Sequence, residues 1–344
     1  MSQLLDQLAA ELADLPDPCA DSAEAVAARV ADILRPPGAL ARLDELAVWL
    51  AGWQRRNEPA VTRPVALIFA GDHGVCADGV SAYPTEVTGA MLAAFNQDRA
   101  SVSAMARVAG ASVTAVDVGV GRPTANIRIA PAMDADRFAS CFQTGRDEVA
   151  KLDTDLLIIG EMGIGNTTAA AAVAAMMLNR PAGEMVGAGT GVAGEALQNK
   201  TAVVSEAIER TRADGVTTDQ PMEVLRHLGG TELVAMAGAL FEARQRSIAV
   251  LLDGYITSAA ALALHEVDGA LTEHTRAGHG SAEPGHRLVL DALGLTPLLN
   301  LDLRLGEASG AMAALPLVKM ACELVTAVPT FAEWAAAAPG EPLA

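Results

Sequence analysis

Leu157-Ile-Ile-Gly-Glu-Met-Gly-Ile-Gly-Asn-Thr-Thr168 is the stretch on which the reading of this chain turns. A short β-branched run ends in an acid, Glu161. Gly163 and Gly165 follow, then Asn166, Thr167 and Thr168, then an alanine-rich run. The apolar run reads as a buried strand, the glycines as a tight turn, and Asn and Thr as the capped start of a helix. The exposed amides of a helix N-terminus favour an anion such as a phosphate. One turn would then present an anion site and a carboxylate at a strand end, where open α/β sheets bind ligands. An ordinary strand-to-helix turn with Asn and Thr as caps accounts for the same residues equally well.

Working outward, short apolar runs recur at Val65–Ala70, Val113–Val118, Leu156–Ile159, Ile248–Leu252, Leu271–Thr275 and Leu298–Leu303. Most alternate with helical stretches, the pattern of parallel strands buried on both faces. Helical spacing marks Leu4, Leu5, Leu8 and Leu12, then Ala28, Val30, Ile33 and Leu34, and the segment from Gly310 to Ala338. The expected fold is α/β, a Rossmann-like, mostly parallel sheet flanked by helices. A small helical domain from the two termini (1–62 with 312–344) would join a large α/β catalytic domain (63–311).

The 344 residues carry a net charge of −18, which disfavours nucleic acid as a partner. No apolar run reaches the roughly 20 residues that span a bilayer, so no membrane partner is expected. Met1-Ser-Gln-Leu-Leu-Asp shows no basic region before an apolar core, so no secretory signal is expected. Cys19, Cys76, Cys141 and Cys322 form no C-x-x-C pair and signal neither zinc nor a disulfide framework. A cytoplasmic location fits best.

Several segments carry side chains fit for chemistry. Asp72 and His73 end the first strand. They face a ligand or support the site from behind, and two ligands are too few for a metal. Gly187, Gly189, Thr190 and Gly191 lie in a glycine-rich loop that matches a dinucleotide fingerprint weakly, because Asn179–Glu184 does not read as a strand. Backbone amides there suit a phosphate or sugar, and Lys200 could neutralise a phosphate. Gly230 or Thr231 caps a helix with Glu232 in its first turn, and Asp253 ends another strand. Gly278–His286 gathers His279, Ser281, Glu283 and His286 without a Gly-x-Ser-x-Gly elbow. A substrate loop with a helix start after Ser281 is preferred to a catalytic triad. Glu307 stands between small residues before an apolar helix. A carboxylate in such a pocket has a raised pKa and can act as a general base; a helix-dipole role explains it as well.

The ordered set Ala70-Gly-Asp-His-Gly-Val75, Gly160-Glu-Met-Gly-Ile-Gly-Asn-Thr-Thr168, Leu251-Leu-Asp-Gly254, Ser281-Ala-Glu-Pro-Gly-His286 and Arg304-Leu-Gly-Glu-Ala-Ser-Gly310 resembles the nicotinate-nucleotide–dimethylbenzimidazole phosphoribosyltransferase family. The resemblance runs from Arg35-Pro-Pro-Gly-Ala-Leu to about Lys319. It implies a homodimer without cofactor or metal that moves phosphoribose from nicotinate mononucleotide to 5,6-dimethylbenzimidazole, with inversion to the α-anomer. It implies that Glu307 is the general base and that Glu161 lies near the ribose. The turn Gly163–Thr168 and the loop Gly187–Gly191 would bind phosphate and sugar, with Lys200 near the phosphate. Ser81-Ala-Tyr-Pro84, with Ser81 and Tyr83, would form the rim of the benzimidazole pocket. Three positions depart from the pattern of many relatives: Gly280 replaces a larger residue, Ala308 a glycine, and Ala90-Met91 stand where a glutamine is common. Two other readings remain. A dinucleotide-dependent dehydrogenase needs a strand immediately before Gly187. A non-catalytic azole or nucleotide binder would have no use for both Glu161 and Glu307.

Overall fold

The computed structural model describes Leu8 and residues 10–337. Leu4, Leu5 and Ala338, which the helical spacing includes, lie outside the described residues. Five strands form one parallel sheet: β1 (Pro64–Gly71), β2 (Ser112–Gly119), β3 (Leu156–Met162), β4 (Val250–Leu252) and β5 (Thr275–Ala277). Their order is β2-β1-β3-β4-β5. The chain moves to one side of β1 for β2 and returns to the other for β3, so the topological switch lies between β1 and β3.

Strands β1, β3 and β4 are buried on both faces, which is why they read as continuous apolar runs, whereas the edge strand β2 is largely half-buried or exposed. Leu67, Phe69, Leu157, Ile159, Val250 and Leu252 point into one core. Helices Ala135–Ala150, Asn166–Met177, Glu195–Ala213, Pro221–Leu228, Thr231–Gln245 and Tyr255–His265 supply the rest of that core. Ala66, Ile68, Leu156, Ile158 and Leu251 point the other way, into a second core. That face is covered by Ala20–Asp32, Ala41–Gln54, Ser101–Ala109 and Ser309–Ala327.

The terminal helices thus pack together and share their core with the sheet. Arg29 donates to Val325 O at 2.6 Å and pairs with Glu333 at 2.8 Å. Arg244, 1% exposed, stacks its guanidinium 4.8 Å from the Trp53 ring and ties helix Ala41–Gln54 to the far layer. Helix Ser309–Ala327 is long and apolar enough to cross a membrane by length and composition, with a mean hydropathy of 1.4. Here its stripe of Met312, Leu315, Val318 and Val325 lies in the second core.

Two expected strands are corrected. Within Leu271–Thr275, Leu271 and Thr272 belong to a 3-10 turn, Gly269–Thr272, because the Asp268 side chain caps it through Ala270 N at 2.8 Å. Strand β5 starts at Thr275. Of Leu298–Leu303 only β7 (Leu299–Asn300) pairs, with β6 (His279–Gly280), in a separate two-stranded ribbon. The alternating leucines beyond it form an irregular segment that reaches the ligand edge of the sheet, and Leu301 is exposed.

Two glycines set the distance between helices Ala135–Ala150 and Thr231–Gln245. A Cβ on Gly145 would stand 1.8 Å from Ala235 O, and one on Gly238 would stand 1.9 Å from Phe142 O. The backbones touch, and backbone cannot yield as a flexible side chain can. Gly145→Leu should therefore lower the unfolding free energy by roughly 3 kcal/mol, read as a lower urea midpoint at unchanged slope. A midpoint equal to that of the unsubstituted protein would show that the helices have room to part.

Candidate active site

A cavity of about 660 Å³ opens at the carboxyl ends of β3, β4 and the β6 segment, beside the switch point. Its walls come from four places. The β3 turn contributes Glu161, Met162, Gly163, Asn166 and Thr167. The loop before helix Glu195–Ala213 contributes Gly189 and Thr190. His279 lies in β6, Ser281 and Glu283 follow it, and residues 302–307 form a strap across the opening. Tyr83, Val87 and Met91 line the outer rim. A second, more open hollow of about 550 Å³ between residues 16–21, Arg55 and Ser247 holds none of the candidate residues.

The strap is held in an unusual backbone state. Gly306, Glu307 and Ala308 have φ of +79°, +54° and +66°. Two successive non-glycine residues in the left-handed region carry strain that the surrounding structure must over-determine. It does so through β3. Glu307 N donates to Glu161 O at 3.1 Å. The strap can approach so closely because residue 160 is glycine, where a Cβ would stand 2.3 Å from Ala308 N. Gly306 is needed for the same reason, since a Cβ there would stand 2.4 Å from Glu161 Oε1.

Both glutamates are buried, Glu161 at 5% exposure and Glu307 at 3%. Burial, reinforced by the charges of Asp253 and Glu232, pushes Glu161 up to about 8, and the Asn166 amide that donates to its Oε2 opposes this. Burial also raises Glu307. The Val102 amide opposes it, donating to Oε1 at 3.3 Å from the first turn of helix Ser101–Ala109. Asp253 stands behind them at the start of helix Ser309–Ala327. Burial lifts it to about 7 against hydrogen bonds from the backbone of Ala311, Gly310 and Ala308. One end of the cavity is therefore a dry cluster of acids, the setting in which a carboxyl group becomes a base near neutrality.

Next to this cluster, and joined to it through the Asn166 amide, lies a wall rich in backbone amides that carries Arg304 and the carboxylate of Glu283. Helix Asn166–Met177 begins there, after Gly165 in the left-handed region. Arg304 lines the cavity and donates to Gly189 O at 3.1 Å. Lys200 is fully buried behind the wall, where Nζ donates to Thr167 Oγ1 at 2.8 Å and to Gly187 O at 3.0 Å. Burial lowers it to about 8, against the nearby Glu283. It ties the β3 turn to the glycine-rich loop.

A family model described as a phosphoribosyltransferase matches residues 15–335. The chain is 47% identical over 319 residues to the nicotinate-nucleotide–dimethylbenzimidazole phosphoribosyltransferase of Cereibacter sphaeroides, covering 93% of each. It belongs to that family. The family's protein from Methylorubrum extorquens is 45% identical over 318 residues, 92% of each chain. The crystal structure of CobT from Thermus thermophilus matches with a TM-score of 0.87 at 39% identity, over 93% of this chain and 100% of that one. The protein is a phosphoribosyltransferase of α/β fold, as the sequence motifs imply.

Of the candidate residues, Glu161, Glu307, Gly163, Asn166, Thr167, Gly189, Thr190, Ser281 and Tyr83 line the cavity. The others do not line it. Gly165, Gly187, Gly191 and Lys200 shape the two loops. Ser81 holds Thr190 through a 3.0 Å hydroxyl contact. Asp72 accepts from Gly121 N at 2.7 Å, and His73 meets Glu232 at 2.6 Å. Of the two readings of Asp72 and His73, the supporting place fits, because neither lines the cavity and both are turned toward neighbouring loops and helices.

The dinucleotide reading fails its own condition, since a short helix, Ala182–Met185, precedes Gly187. No triad forms either: His286 Nε2 faces Ser258 Oγ at 3.0 Å, and Ser281 donates its amide, not its hydroxyl, to His286 Nδ1. Helix Pro284–Ala292 starts one residue after Glu283, whose carboxylate leaves the cap and accepts from Gly189 N at 2.8 Å. His279 and Glu283 line the cavity as members of the expected substrate loop, and Arg304 lines it although the sequence does not single it out as a binding residue. The one available signal was Arg304, a cation beside Glu307 in an acidic chain.

Glu161 makes stability depend on pH in a definite direction. Its folded pKa of about 8 lies above the ordinary value of 4.5, so the folded state holds the proton longer than the unfolded chain. Stability contributed by the protonated acid is complete below pH 4.5 and is lost as pH rises toward 8. Glu161→Gln removes that loss. The melting temperature of the variant minus that of the parent should increase steadily across this window. A flat or falling difference would show that Glu161 ionises normally.

Proposed function

We propose that the protein transfers phosphoribose from nicotinate mononucleotide to 5,6-dimethylbenzimidazole, giving α-ribazole 5′-phosphate and nicotinate for the lower ligand of cobalamin. The observation that carries this reading is the pairing of Glu161 and Glu307 across one strained turn, beside an amide-rich wall of the same cavity that carries Arg304.

The reaction makes few demands on the protein. The bond from ribose C1′ to the pyridinium nitrogen breaks, and its electron pair neutralises the ring, so the leaving group needs no acid. A nitrogen of the azole attacks C1′ from the opposite face, which inverts the sugar. Its N–H proton passes to Glu307. Glu161 serves the ribosyl cation that develops at C1′. A bound pyridinium favours the charged form of Glu161, as an adjacent cation does for any carboxyl group. The phosphate is assigned to the Gly163–Thr168 turn with Gly189, Thr190, Ser281 and Arg304, while Lys200 braces these loops. Tyr83, Val87, Met91 and Met162 offer a flat apolar slot for the acceptor. Orientation and one general base then supply most of the barrier reduction. We further infer a homodimer in the cytoplasm, supported by the family resemblance and by four cysteines that form no disulfide.

Incubation with nicotinate mononucleotide and 5,6-dimethylbenzimidazole should give nicotinate and α-ribazole 5′-phosphate in equal amounts by chromatography; absence of both overturns the reading. Glu307→Gln keeps the shape of the site and loses the base. Its kcat should fall by about 10²- to 10⁴-fold, with the affinity for nicotinate mononucleotide measured by calorimetry little changed. A variant with full turnover would remove Glu307 from the role of base.

A further inference from the structure

Behind the anion turn lies a buried pair that the transfer chemistry leaves unused. His73 Nε2 stands 2.6 Å from Glu232 Oε1, and neither side chain has any exposed surface. His73 follows β1, and Glu232 occupies the first turn of helix Thr231–Gln245. A buried polar pair of this kind is weak support for stability, since apolar packing of similar volume does as well or better. Its position suggests a different use.

The imidazole acts as a wedge. A Cβ on Gly163 would stand 3.3 Å from His73 Nε2, and one on Gly165 would stand 3.3 Å from His73 Cβ. On the opposite side a Cβ on Gly230 would stand 2.3 Å from His73 Cε1. The ring is therefore gripped between the turn that opens helix Asn166–Met177 and the start of helix Thr231–Gln245. Glu232 fixes the ring from the second helix, and the ring in turn limits how far the first can retreat from the cavity.

We propose that His73 is a positioning residue for the nucleotide phosphate: clamped by Glu232, its ring sets how far the Gly163–Gly165 turn and the helix amides beyond it reach into the cavity. This rests on the transferase reading in one respect, that the anion at the turn is the 5′-phosphate of the substrate. Without the ring the turn can sink into the vacated volume and withdraw its amides. The base, Glu307, lies on a separate strap and stays in place. Loss of the wedge thus weakens ground-state and transition-state binding together and raises KM with little change in kcat.

The test uses His73→Ala and His73→Gln, with steady-state kinetics for nicotinate mononucleotide and calorimetric binding of inorganic phosphate. In His73→Ala, KM and the phosphate Kd should both rise about tenfold, with kcat within about threefold of the parent. His73→Gln, whose amide can still donate to Glu232, should restore most of the loss. Folded variants that keep the parent's KM and phosphate Kd overturn the inference, even if their melting temperatures fall. If His73→Ala does not fold, His73→Gln decides: a phosphate Kd raised about threefold supports the wedge, and an unchanged one overturns it. The two readings also separate. Parent protein that binds phosphate more tightly than the variants but turns nothing over keeps the wedge and removes the transferase. Turnover with equal phosphate affinities does the reverse.

Discussion

The contact between the 306–308 strap and the end of β3 is the constraint on which the site depends. A single backbone hydrogen bond from Glu307 N to Glu161 O joins the two acids. It can form only because the strap turns through three left-handed residues and residue 160 has no side chain. Each requirement is local and costly, and each is met by tertiary packing rather than by propensity. Ala308 shows this plainly. It takes a conformation that glycine adopts more readily and still sits fully buried at the head of helix Ser309–Ala327.

Electrostatics divide the cavity along the same line. Burial pushes Glu161, Asp253 and Glu307 each toward its neutral form. Helix amides partly restore the charge of Glu307 and Asp253. Beside them Arg304, the start of helix Asn166–Met177 and the buried Lys200 favour negative charge. A molecule that carries both a cationic ring and a phosphate can meet both sets of groups. The chain can thus be strongly acidic overall and still offer an anion site.

The fold was legible where one physical signal dominated. Continuous apolar runs marked β1 and β3 almost to the residue, because strands buried on both faces tolerate little else. The strand-turn-helix motif around Glu161 was equally clear. Segments governed by two competing signals were misread. The alternating leucines around 298–305 have a strand's period, yet most of them cross the cavity mouth, where a ligand edge replaces a partner strand. Leu271 and Thr272 are apolar enough for a strand, but Asp268 two residues upstream of its capped amide wins them for a 3-10 turn. In the site, residues that act through their own side chains at a strand end were found. Arg304 was not, and Glu283 was read only as part of a loop, because their contacts with Gly189 join segments 115 and 94 positions apart in sequence. His73 was legible as polar at a strand end, but its partner 159 positions away was not.

One face of the sheet is roofed by helices from both ends of the chain. During synthesis helices Ala20–Asp32 and Ala41–Gln54 emerge before the strands and helix Ser309–Ala327 after them, so the roof over Ala66, Ile68 and Ile158 is complete only once Met312 and Leu315 are in place. The strap that carries Glu307 immediately precedes that last covering helix. Helix Ser309–Ala327 thus helps to seal the sheet and seats Glu307 beside Glu161 in the same event.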